Sequence, residues 1–338
     1  MIQVAVVGYG YWGPNLTRNF SKAPGCELAA VCDLSVRRLV QARRAHPGVH
    51  LTTDWPRLLA DPGVDAVAIA TPAATHFDLA LGALRAGKHV LVEKPLARTT
   101  DEALTLIEES ERRNLVLMVD HTFVFSPAIQ AIHELLTSGA LGEPCYYDSV
   151  RLNLGRVRSD VNVLWDLAAH DLSILDHLLA VPPAGVLATG VARTPGEPEH
   201  MAYLTLLFPG AFIAHVHASW LSPVKTRRML IGGSRGSVVY DDLEPVDKVK
   251  VYEHQLVNGS GRRDAVPHRL GEMSAPRLGT REPLRAAVEH FVECIDTTRR
   301  PITDGAAGLR VVRLLEAASR SLEAGAQVVA VDMEGVVA

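Results

Sequence analysis

What the sequence lacks excludes several classes of protein. Its four cysteines form no C-x-x-C pair, so it offers neither a redox dithiol nor a cysteine-based zinc site. No apolar run reaches about 18 residues, the length that a membrane-spanning helix needs. The net charge of -4 leaves no basic footprint, so nucleic acid is not expected as a partner. Neither an internal repeat nor a low-complexity segment is present.

The remaining composition is that of an ordinary globular protein. Hydrophobic residues make up 48% of the chain and charged residues 21%, which excludes a disordered or fibrous protein. The cysteines are expected to be small buried side chains in a reducing compartment. Because a strand begins at residue 2 with no charged leader before it, we expect a cytoplasmic location and no membrane partner. The 338 residues exceed one typical core, so two domains are expected.

The first 121 residues alternate between apolar strands and helices. Ile2 to Val7 is continuously apolar, as a strand buried on both faces should be. Further strands are predicted at residues 27–32, 64–70, 89–92 and 115–119, with helices at 12–22, 35–45 and 74–86. Another helix should start at the capping box that runs from Thr99 to Glu102. This alternation predicts a doubly wound parallel sheet over residues 1–121, a domain that binds a dinucleotide.

Residues 122–338 follow a different pattern and predict a second domain. Their longer strands alternate apolar and polar residues, which indicates a largely antiparallel sheet with one open face. These strands are predicted at residues 145–152, 201–208, 212–220 and 228–231, with helices at 127–136, 165–180, 282–297 and 305–324. Residues 254–280 are rich in Gly, Arg and Pro and are predicted to form a long loop. We expect an α+β domain that binds substrate, whose terminal helices can pack back on the first domain.

A glycine-rich turn follows the first predicted strand. Its sequence, Gly-Tyr-Gly-Tyr-Trp-Gly, fits G-x-G-x-x-G between a strand and a helix. Gly8 allows a tight turn, Gly10 lets the backbone approach a pyrophosphate, and Gly13 lets helix and strand pack closely. The pyrophosphate would lie at the helix N-terminus, where N–H groups and the helix dipole favour an anion. We include Tyr11 and Trp12 in this dinucleotide site, although a tryptophan in a first turn can also simply pack.

An acidic residue ends the second predicted strand, about 20 residues after the glycine motif. Asp33 is expected to accept hydrogen bonds from the adenosine ribose of the dinucleotide. Its carboxylate would repel a 2′-phosphate, so NAD is predicted and NADP is less favoured. Arg37 and Arg38 leave an alternative open, because arginines just beyond this strand can hold that phosphate. Otherwise they are solvated charges on a basic helix.

A lysine stands at another strand end in a chain that prefers arginine. Six lysines stand against 28 arginines, so a lysine at position 94 suggests a role that a guanidinium cannot perform. Ligands bind at the strand ends of open α/β sheets, and Pro95 should hold the Lys94 backbone extended. We therefore predict that the Lys94 ammonium points into the ligand site, against the alternative of a surface lysine before a turn.

Two residues that can move protons stand four apart at the start of a later predicted helix. Asp166 and His170 therefore share one face of that helix, beside an apolar stripe that can pack inward. A histidine near its free pKa of about 6.5 suits proton transfer near neutral pH. We predict a catalytic role for this pair, against the alternative of a capping aspartate and a surface histidine.

Together these residues resemble the Gfo/Idh/MocA oxidoreductase family, over essentially the whole chain. The matching stretch contains Thr71-Pro72, His76, Ala86-Gly87-Lys88-His89-Val90 and Glu93-Lys94-Pro95, joined by the glycine motif and Asp166-x-x-x-His170. Within the family, three segments resemble the branch that acts on C3 of sugars, including UDP-N-acetylglucosamine-type 3-dehydrogenases. These segments are residues 8–15, 162–166 and 240–245.

The resemblance implies hydride transfer between a nicotinamide and a ring hydroxyl carbon, in a homo-oligomer that is a dimer or a tetramer. It implies an N-terminal Rossmann domain, with Lys94 beside the substrate oxygen. It makes His170 the base in oxidation and the acid in reduction, with Asp166 orienting it or holding a neighbouring hydroxyl. It also assigns five residues to the cofactor cleft: Thr71, Pro72, His76, Glu93 and Lys94.

The substrate and the direction of the reaction stay open at this point. Asn153, Arg156, Asn162 and Trp165 precede the catalytic helix and are predicted to hold sugar hydroxyls or a phosphate, against a purely structural role. A nucleotide sugar would need cations such as Arg156 or Arg158. No metal is predicted, because the histidines at 133, 177, 215 and 217 lack a set of partner ligands.

Two other functions compete with a nucleotide-sugar dehydrogenase. The first is oxidation or reduction of a sugar ring in an aminoglycoside or other antibiotic precursor. For that polycationic substrate, the sequence offers an acidic set, against the alternative of ordinary solvated charges: Glu197, Glu199, Asp241, Asp242 and Glu244. The second is a non-catalytic NAD-binding sensor, which the presence of both Lys94 and His170 disfavours.

Overall fold

The protein is described here by a computed structural model, which covers residues 1–155, 157, 161–179, 181–256 and 268–333. The chain forms two compact units. The first contains Met1–Ser126 and Arg281–Arg313, and the second contains Pro127–Thr280 and Leu314–Met333. The domain limits predicted at 1–121 and 122–338 stay a prediction.

A parallel sheet of six strands forms the centre of the first unit, all of it within the described residues. The strands are β1 (Ile2–Val7), β2 (Cys26–Cys32), β3 (His50–Thr52), β4 (Ala66–Ile69), β5 (His89–Glu93) and β6 (Leu117–Asp120). They lie in the order β3-β2-β1-β4-β5-β6, and every neighbouring pair is parallel. The order changes direction between β1 and β4, and the crevice beyond that point is where ligands of such sheets bind. The predicted doubly wound sheet is confirmed.

Helices accompany both sheets. In the described part of the chain they are α1 (Gly13–Phe20), α2 (Val36–Ala45), α3 (Trp55–Ala60), α4 (His76–Arg85), α5 (Thr100–Arg112), α6 (Pro127–Thr137), α7 (Ala169–Leu178), α8 (Pro283–Thr297) and α9 (Gly305–Glu323). The predicted capping box opens α5, since Thr99 Oγ1 accepts from the Glu102 amide at 3.1 Å. Phe20 of α1 and Phe291 of α8 meet edge to face in the core of the first unit.

A second sheet forms the centre of the second unit. Its strands are β7 (Pro144–Leu154), β8 (Gly185–Val191), β9 (Met201–Leu207), β10 (Ile213–Ser219), β11 (Leu221–Gly233), β12 (Gly236–Asp241), β13 (Val249–Leu256), β14 (His268–Ser274) and β15 (Val329–Ala330). The described strands lie in the order β14-β13-β12-β11-β7-β10-β9-β8-β15. Neighbouring strands pair antiparallel, except that β10 and β7 pair parallel to each other. On β10, Ala214 and Val216 are buried while Ile213 and His215 are exposed, as expected for a sheet with one open face.

Two predictions about local structure were wrong. The predicted loop at 254–280 contains β14, which pairs with β13, because backbone pairing at a sheet edge does not need a strongly apolar strand. Among the cysteines, Cys145 is exposed, whereas Cys26, Cys32 and Cys294 are buried. Burial raises the pKa of Cys26 and of Cys32 to about 11, so these thiols stay protonated near neutral pH.

The described residues contain neither a candidate membrane span nor a candidate cluster of metal ligands. None of the described helices combines the length and apolar character that a membrane span requires. In the same residues, no three His, Cys, Asp or Glu side chains come together as metal ligands would.

Candidate active site

The glycine turn leaves room for a ligand at its middle position. Gly8 has a φ of 92°, and a Cβ there would lie 2.7 Å from the Ala70 carbonyl oxygen. A Cβ on Gly13 would overlap the Gly8 carbonyl oxygen, so both end glycines are required by the chain's own packing. Among the described residues, a Cβ on Gly10 would meet only the Arg38 guanidinium, at 3.9 Å. No side chain caps the start of α1, so this part of the described chain fits the pyrophosphate of a dinucleotide.

Asp33 holds the glycine turn against the end of β2. Its Oδ2 accepts from the Tyr9 amide at 2.6 Å, and its Oδ1 accepts from the Ser35 amide at 2.7 Å. Only 6% of Asp33 is exposed, and Arg38 Nη1 lies 3.5 Å from its Oδ2. Each carboxylate oxygen can accept more than one hydrogen bond, so Asp33 can fix the turn and still accept from a ribose.

A buried histidine connects the end of β4 with the turn after β5. The ring nitrogens of His76 lie 2.7 Å from the Pro95 carbonyl oxygen and 2.9 Å from the Thr71 carbonyl oxygen. The Thr75 hydroxyl also donates to the Thr71 hydroxyl at 2.7 Å. His76 is 1% exposed, so its imidazole is buried against the backbone next to Lys94. The bond between Lys94 and Pro95 is cis.

Polar side chains surround Lys94 where β5 and β6 end. Glu93 and Asp120 are paired residues of these strands, and His121 follows Asp120. The Trp12 indole N–H donates to Asp120 Oδ2 at 3.2 Å, which connects the glycine turn to the end of β6. Burial, followed by the nearby charge of Asp120, raises the pKa of Glu93 well above its usual range. Burial and the Lys94 charge lower the pKa of His121 to about 3, so its imidazole is neutral.

The other lysine of this stretch has a structural environment. Lys88 is 7% exposed, and its Nζ donates to the carbonyl oxygens of Asp61 at 2.7 Å and Val64 at 2.6 Å. The neighbouring His89 Nδ1 accepts from the Val116 amide at 2.9 Å. Lys88 and His89 therefore fasten β5 to the segments beside it.

In the second unit, the helix that contains Asp166 begins with an unusual turn. Residues Leu164–Ala168 form a π-helical turn, where an ordinary α-helix was predicted. Asn162 begins it, because its Oδ1 accepts from the amides of Leu164 at 3.2 Å and Trp165 at 3.3 Å. The Asn162 side-chain amide donates to Glu199 Oε2 at 3.0 Å.

A tryptophan between β10 and β11 contacts Asp166, and an asparagine of β7 lies near that tryptophan. The Trp220 indole N–H donates to Asp166 Oδ2 at 3.0 Å. A Cβ on Gly155 would lie 3.2 Å from both Asn153 and Trp220, so these two side chains are close neighbours. Asn153 Oδ1 is buried and accepts no hydrogen bond from the residues that the structure describes. Trp220 therefore contacts Asp166 and lies near Asn153, and Asn153 Oδ1 can accept a hydrogen bond from a further partner.

His170 stands in the first turn of α7, next to a buried ion pair. Asp171 accepts from Arg151 Nε at 2.7 Å and Nη2 at 3.1 Å, and from the Ser149 hydroxyl at 2.6 Å. The two charged side chains are 8% and 4% exposed. This network fastens α7 to β7, so that the half-buried His170 has a fixed backbone position.

Changing Asp171 to alanine should lower the free energy of unfolding by about 3–5 kcal/mol, because it leaves the Arg151 charge buried and uncompensated. Urea denaturation would measure the loss. Glu111→Ala is the matched control, since its partner Arg300 lies 3.4 Å away and both side chains are more than half exposed. The control should change stability by less than about 1 kcal/mol. Equal effects of the two variants would contradict this prediction.

Comparison with known proteins gives the family. A model of an oxidoreductase family with an NAD-binding Rossmann fold matches residues 2–121, and the C-terminal domain model of the same family matches residues 129–239. The UDP-N-acetylglucosamine 3-dehydrogenase of Acidithiobacillus ferrooxidans is 32% identical over 317 residues, which cover 92% of this chain and 94% of that enzyme. The chain belongs to the Gfo/Idh/MocA family of oxidoreductases.

A solved structure of that enzyme and one further relative agree with the family assignment. A solved structure of the A. ferrooxidans enzyme matches with a TM-score of 0.82 at 31% identity, covering 96% of this chain and 98% of that one. The scyllo-inositol 2-dehydrogenase (NAD(+)) of Bacillus subtilis is 26% identical over 317 residues, covering 89% of this chain and 88% of that enzyme. The predicted family, fold class, oxidoreductase class and NAD cofactor are confirmed.

The predicted site residues of this Gfo/Idh/MocA protein lie in different environments, and their roles stay predictions. In the first unit Gly8, Gly10, Asp33 and Arg38 lie together at the ends of β1 and β2. Tyr11 is 92% exposed, and Arg37 is also exposed.

In the second unit, two of the residues predicted to bind substrate make contacts within the chain. The Trp165 indole N–H donates to Ser319 Oγ at 3.0 Å, and Asn162 begins the π-helical turn. Arg156 and Arg158 lie outside the described residues. Sequence reasoning missed Asp120, His121 and Trp220 as neighbours of the predicted site residues. Asp120 and His121 had a readable signal, since they are polar residues at the end of an apolar strand.

We expect kcat/KM to be higher with NAD than with NADP, because Asp33 is predicted to accept from the adenosine ribose, where its carboxylate would repel a 2′-phosphate. Asp33→Asn should lower the ratio of kcat/KM for NAD to kcat/KM for NADP by about tenfold, the factor that 1.4 kcal/mol gives. The substitution removes the repulsion between the carboxylate and the 2′-phosphate and leaves Arg38 in place. Steady-state kinetics with both cofactors would measure the ratio. A preference for NADP in the unmodified protein would show that Arg38 outweighs Asp33.

Proposed function

We propose that this protein is an NAD-dependent dehydrogenase of a sugar or polyol, and that its substrate is a nucleotide sugar oxidised at the C3 hydroxyl. The observation that carries the proposal is the position of Lys94. It follows β5 at the same sheet edge as the glycine turn after β1, with β4 between the two strands. The substrate class is supported by 32% identity to a UDP-N-acetylglucosamine 3-dehydrogenase over nearly the whole length of both chains.

In this proposal Lys94 stabilises the reacting oxygen. Oxidation of a secondary alcohol removes a hydride from carbon and a proton from oxygen, and NAD accepts the hydride. An ammonium beside the oxygen stabilises the negative charge that develops as the proton leaves. His76 holds two backbone segments in place, because its ring contacts the carbonyl groups of Thr71, after β4, and of Pro95, next to Lys94. The ammonium can then be positioned before substrate arrives.

The proton is assigned to His170, which acts as base in oxidation and as acid in reduction. Its backbone is fixed by the buried contact of Asp171 with Arg151. Asp166 is held by the Trp220 indole, so its carboxylate can hold a neighbouring substrate hydroxyl. We assign the buried Oδ1 of Asn153 to a further hydroxyl of the sugar, because a hydroxyl can donate to it.

A polycationic antibiotic precursor is the alternative substrate, and the acidic residues that suggested it have partners within the chain. Asp242 lies 3.1 Å from Arg227 and 3.2 Å from Lys248. Glu199 accepts from Asn162, and Glu197 Oε2 lies 3.6 Å from His200. Carboxylates that are already paired attract a further cation less strongly. These contacts support the nucleotide sugar over the polycation.

The test is NADH formation with purified protein and a panel of substrates. The panel should contain UDP- and dTDP-sugars, free and phosphorylated sugars, inositols and aminoglycosides, each with NAD and with NADP. We expect NADH with a UDP-sugar, and loss of that signal in Lys94→Ala. Turnover of aminoglycosides alone would replace the substrate proposal. A protein that binds NAD and turns over nothing in either direction would favour the sensor.

We also propose that the protein works as a homo-oligomer, either a dimer or a tetramer. The open face of the second sheet supports this, because it exposes apolar side chains such as Tyr203 and Ile213. Light scattering of the purified protein would give the number of 36.5 kDa subunits. A monomer at micromolar concentration would contradict the proposal.

A further inference from the structure

Two acidic side chains are packed together at the ends of β5 and β6. Glu93 and Asp120 are paired residues of these parallel strands. Asp120 is 1% exposed, and Glu93 Oε1 is a buried atom with no hydrogen-bond partner among the residues described. Ionising both carboxyls of such a close and poorly solvated pair costs free energy, because the like charges repel and water does not screen them. One of them is therefore expected to hold a proton.

The hydrogen-bond donors around the pair identify which carboxyl is charged. Asp120 Oδ1 accepts from the Thr122 hydroxyl at 2.7 Å, and Oδ2 accepts from the Trp12 indole at 3.2 Å. An indole N–H only donates, so Oδ2 must be an acceptor. Two donors are directed at Asp120, whereas Glu93 Oε1 has none among the described residues, so the negative charge is better stabilised on Asp120 and we take Asp120 as the ionised member. Glu93 is then the member that can supply a proton to the contact between the two side chains.

We propose that Glu93 is protonated in the resting enzyme and donates a hydrogen bond to Asp120, making the two carboxyls a positioning pair for Lys94. The pair connects the residue before Lys94 to Asp120, and through the Trp12 indole to the glycine turn. The position of the lysine and the position of the cofactor turn are thereby coupled. The use of Lys94 in catalysis rests on the proposed function, whereas the protonation of Glu93 does not.

The charges that face Glu93 agree with this arrangement. Burial is the main cause that raises the pKa of Glu93, followed by the Asp120 charge, while Lys94 and its backbone N–H act in the opposite direction. His121 is neutral near pH 7, because burial lowers its pKa to about 3. The group of Glu93, Lys94, Asp120 and His121 then holds one negative and one positive charge. A second carboxylate would leave an excess negative charge in a poorly solvated place.

Protonation of Glu93 has a measurable effect on stability. A carboxyl whose pKa is raised by folding contributes stability that is fully present below its unfolded pKa, and this contribution is lost as pH rises through the folded pKa. The ordinary pKa of this side chain is 4.5, and folding raises it. The wild-type protein should therefore lose stability as pH rises above 4.5 and through the pKa of Glu93 in the folded protein. Glu93→Gln cannot lose a proton, and its side-chain amide can still donate to Asp120, so it should not show this loss.

The experiment compares the isosteric variants Glu93→Gln and Asp120→Asn by thermal melting across a range of pH. We expect the Tm of Glu93→Gln to gain about 2–4 °C on wild type as pH rises. Asp120→Asn should melt lower at every pH, because it removes the negative charge that accepts hydrogen bonds from Trp12, Thr122 and Glu93. Glu111→Gln, at an exposed carboxyl, should follow wild type throughout. The opposite order, with Asp120→Asn tolerated and Glu93→Gln destabilised, would move the proton to Asp120 and overturn the proposal.

Two further measurements separate a protonated pair from simple packing. The infrared carbonyl band of a protonated carboxylic acid should be present in wild type at neutral pH and absent from Glu93→Gln. Its persistence in the variant would overturn the assignment. With an active substrate, the alkaline part of the kcat/KM profile should change in Glu93→Gln, which a purely structural role would not cause. Melting and infrared spectra need no substrate, so failure of the proposed function would leave both results interpretable.

Discussion

Changing Lys94 to alanine should lower kcat by about 100- to 1,000-fold, the loss typical when one donor to a developing oxyanion is removed. NAD should still bind, because the glycine turn and its contact with Asp33 do not involve the lysine side chain. Steady-state NADH formation at saturating substrate would give kcat, and quenching of tryptophan fluorescence by NAD would give the affinity for NAD. A variant that keeps kcat within tenfold of wild type would exclude Lys94 from catalysis.

The same stretch of chain provides a matched control. Lys88→Ala should lower stability and leave the chemistry of the folded enzyme intact, because the Lys88 ammonium donates to the carbonyl oxygens of Asp61 and Val64. Lys94→Arg should remain impaired, since a planar guanidinium is larger than an ammonium and holds its donors in a fixed fork. If Lys88→Ala and Lys94→Ala lost the same stability and had the same kcat, the distinction between a structural Lys88 and a catalytic Lys94 would be wrong.

His170→Ala should lower kcat by about 100- to 10,000-fold, the range typical of losing general acid–base catalysis. The fold should tolerate the change, since α7 is fastened to β7 by Asp171 and Arg151 rather than by the histidine. The kcat/KM profile for oxidation should also lose its rise with pH, because a base must release its own proton before it can accept another. Initial rates across pH, with each variant checked for folding by circular dichroism, would measure both effects.

A second histidine tests whether the effect is specific to position 170. His215 lies on the open face of the second sheet, and its side chain is 55% exposed. His215→Ala should keep kcat and its pH profile. Near-normal turnover by His170→Ala would remove the proposed base. A pH profile that stays unchanged despite a large loss in kcat would make His170 a residue that positions substrate.

The sequence alone determined the features that depend on short-range chemistry. The glycine spacing and Asp33 predicted the dinucleotide turn, because pyrophosphate binding needs a tight turn at the start of a helix. Alternating apolar segments predicted the parallel sheet, since strands buried on both faces must be continuously apolar. The stretch around Lys94 predicted the family. These signals depend on neighbours in the chain, which the sequence displays directly.

The tertiary structure alone decided which distant residues act together. Trp12 reaches Asp120 across 108 positions, and Trp220 reaches Asp166 across 54. The two lysines near β5 differ for the same reason, because Lys88 meets backbone carbonyls of Asp61 and Val64 that no local pattern reveals. Hydrogen bonds and pKa shifts depend on distance in space and on burial, and a sequence lists residues without either quantity.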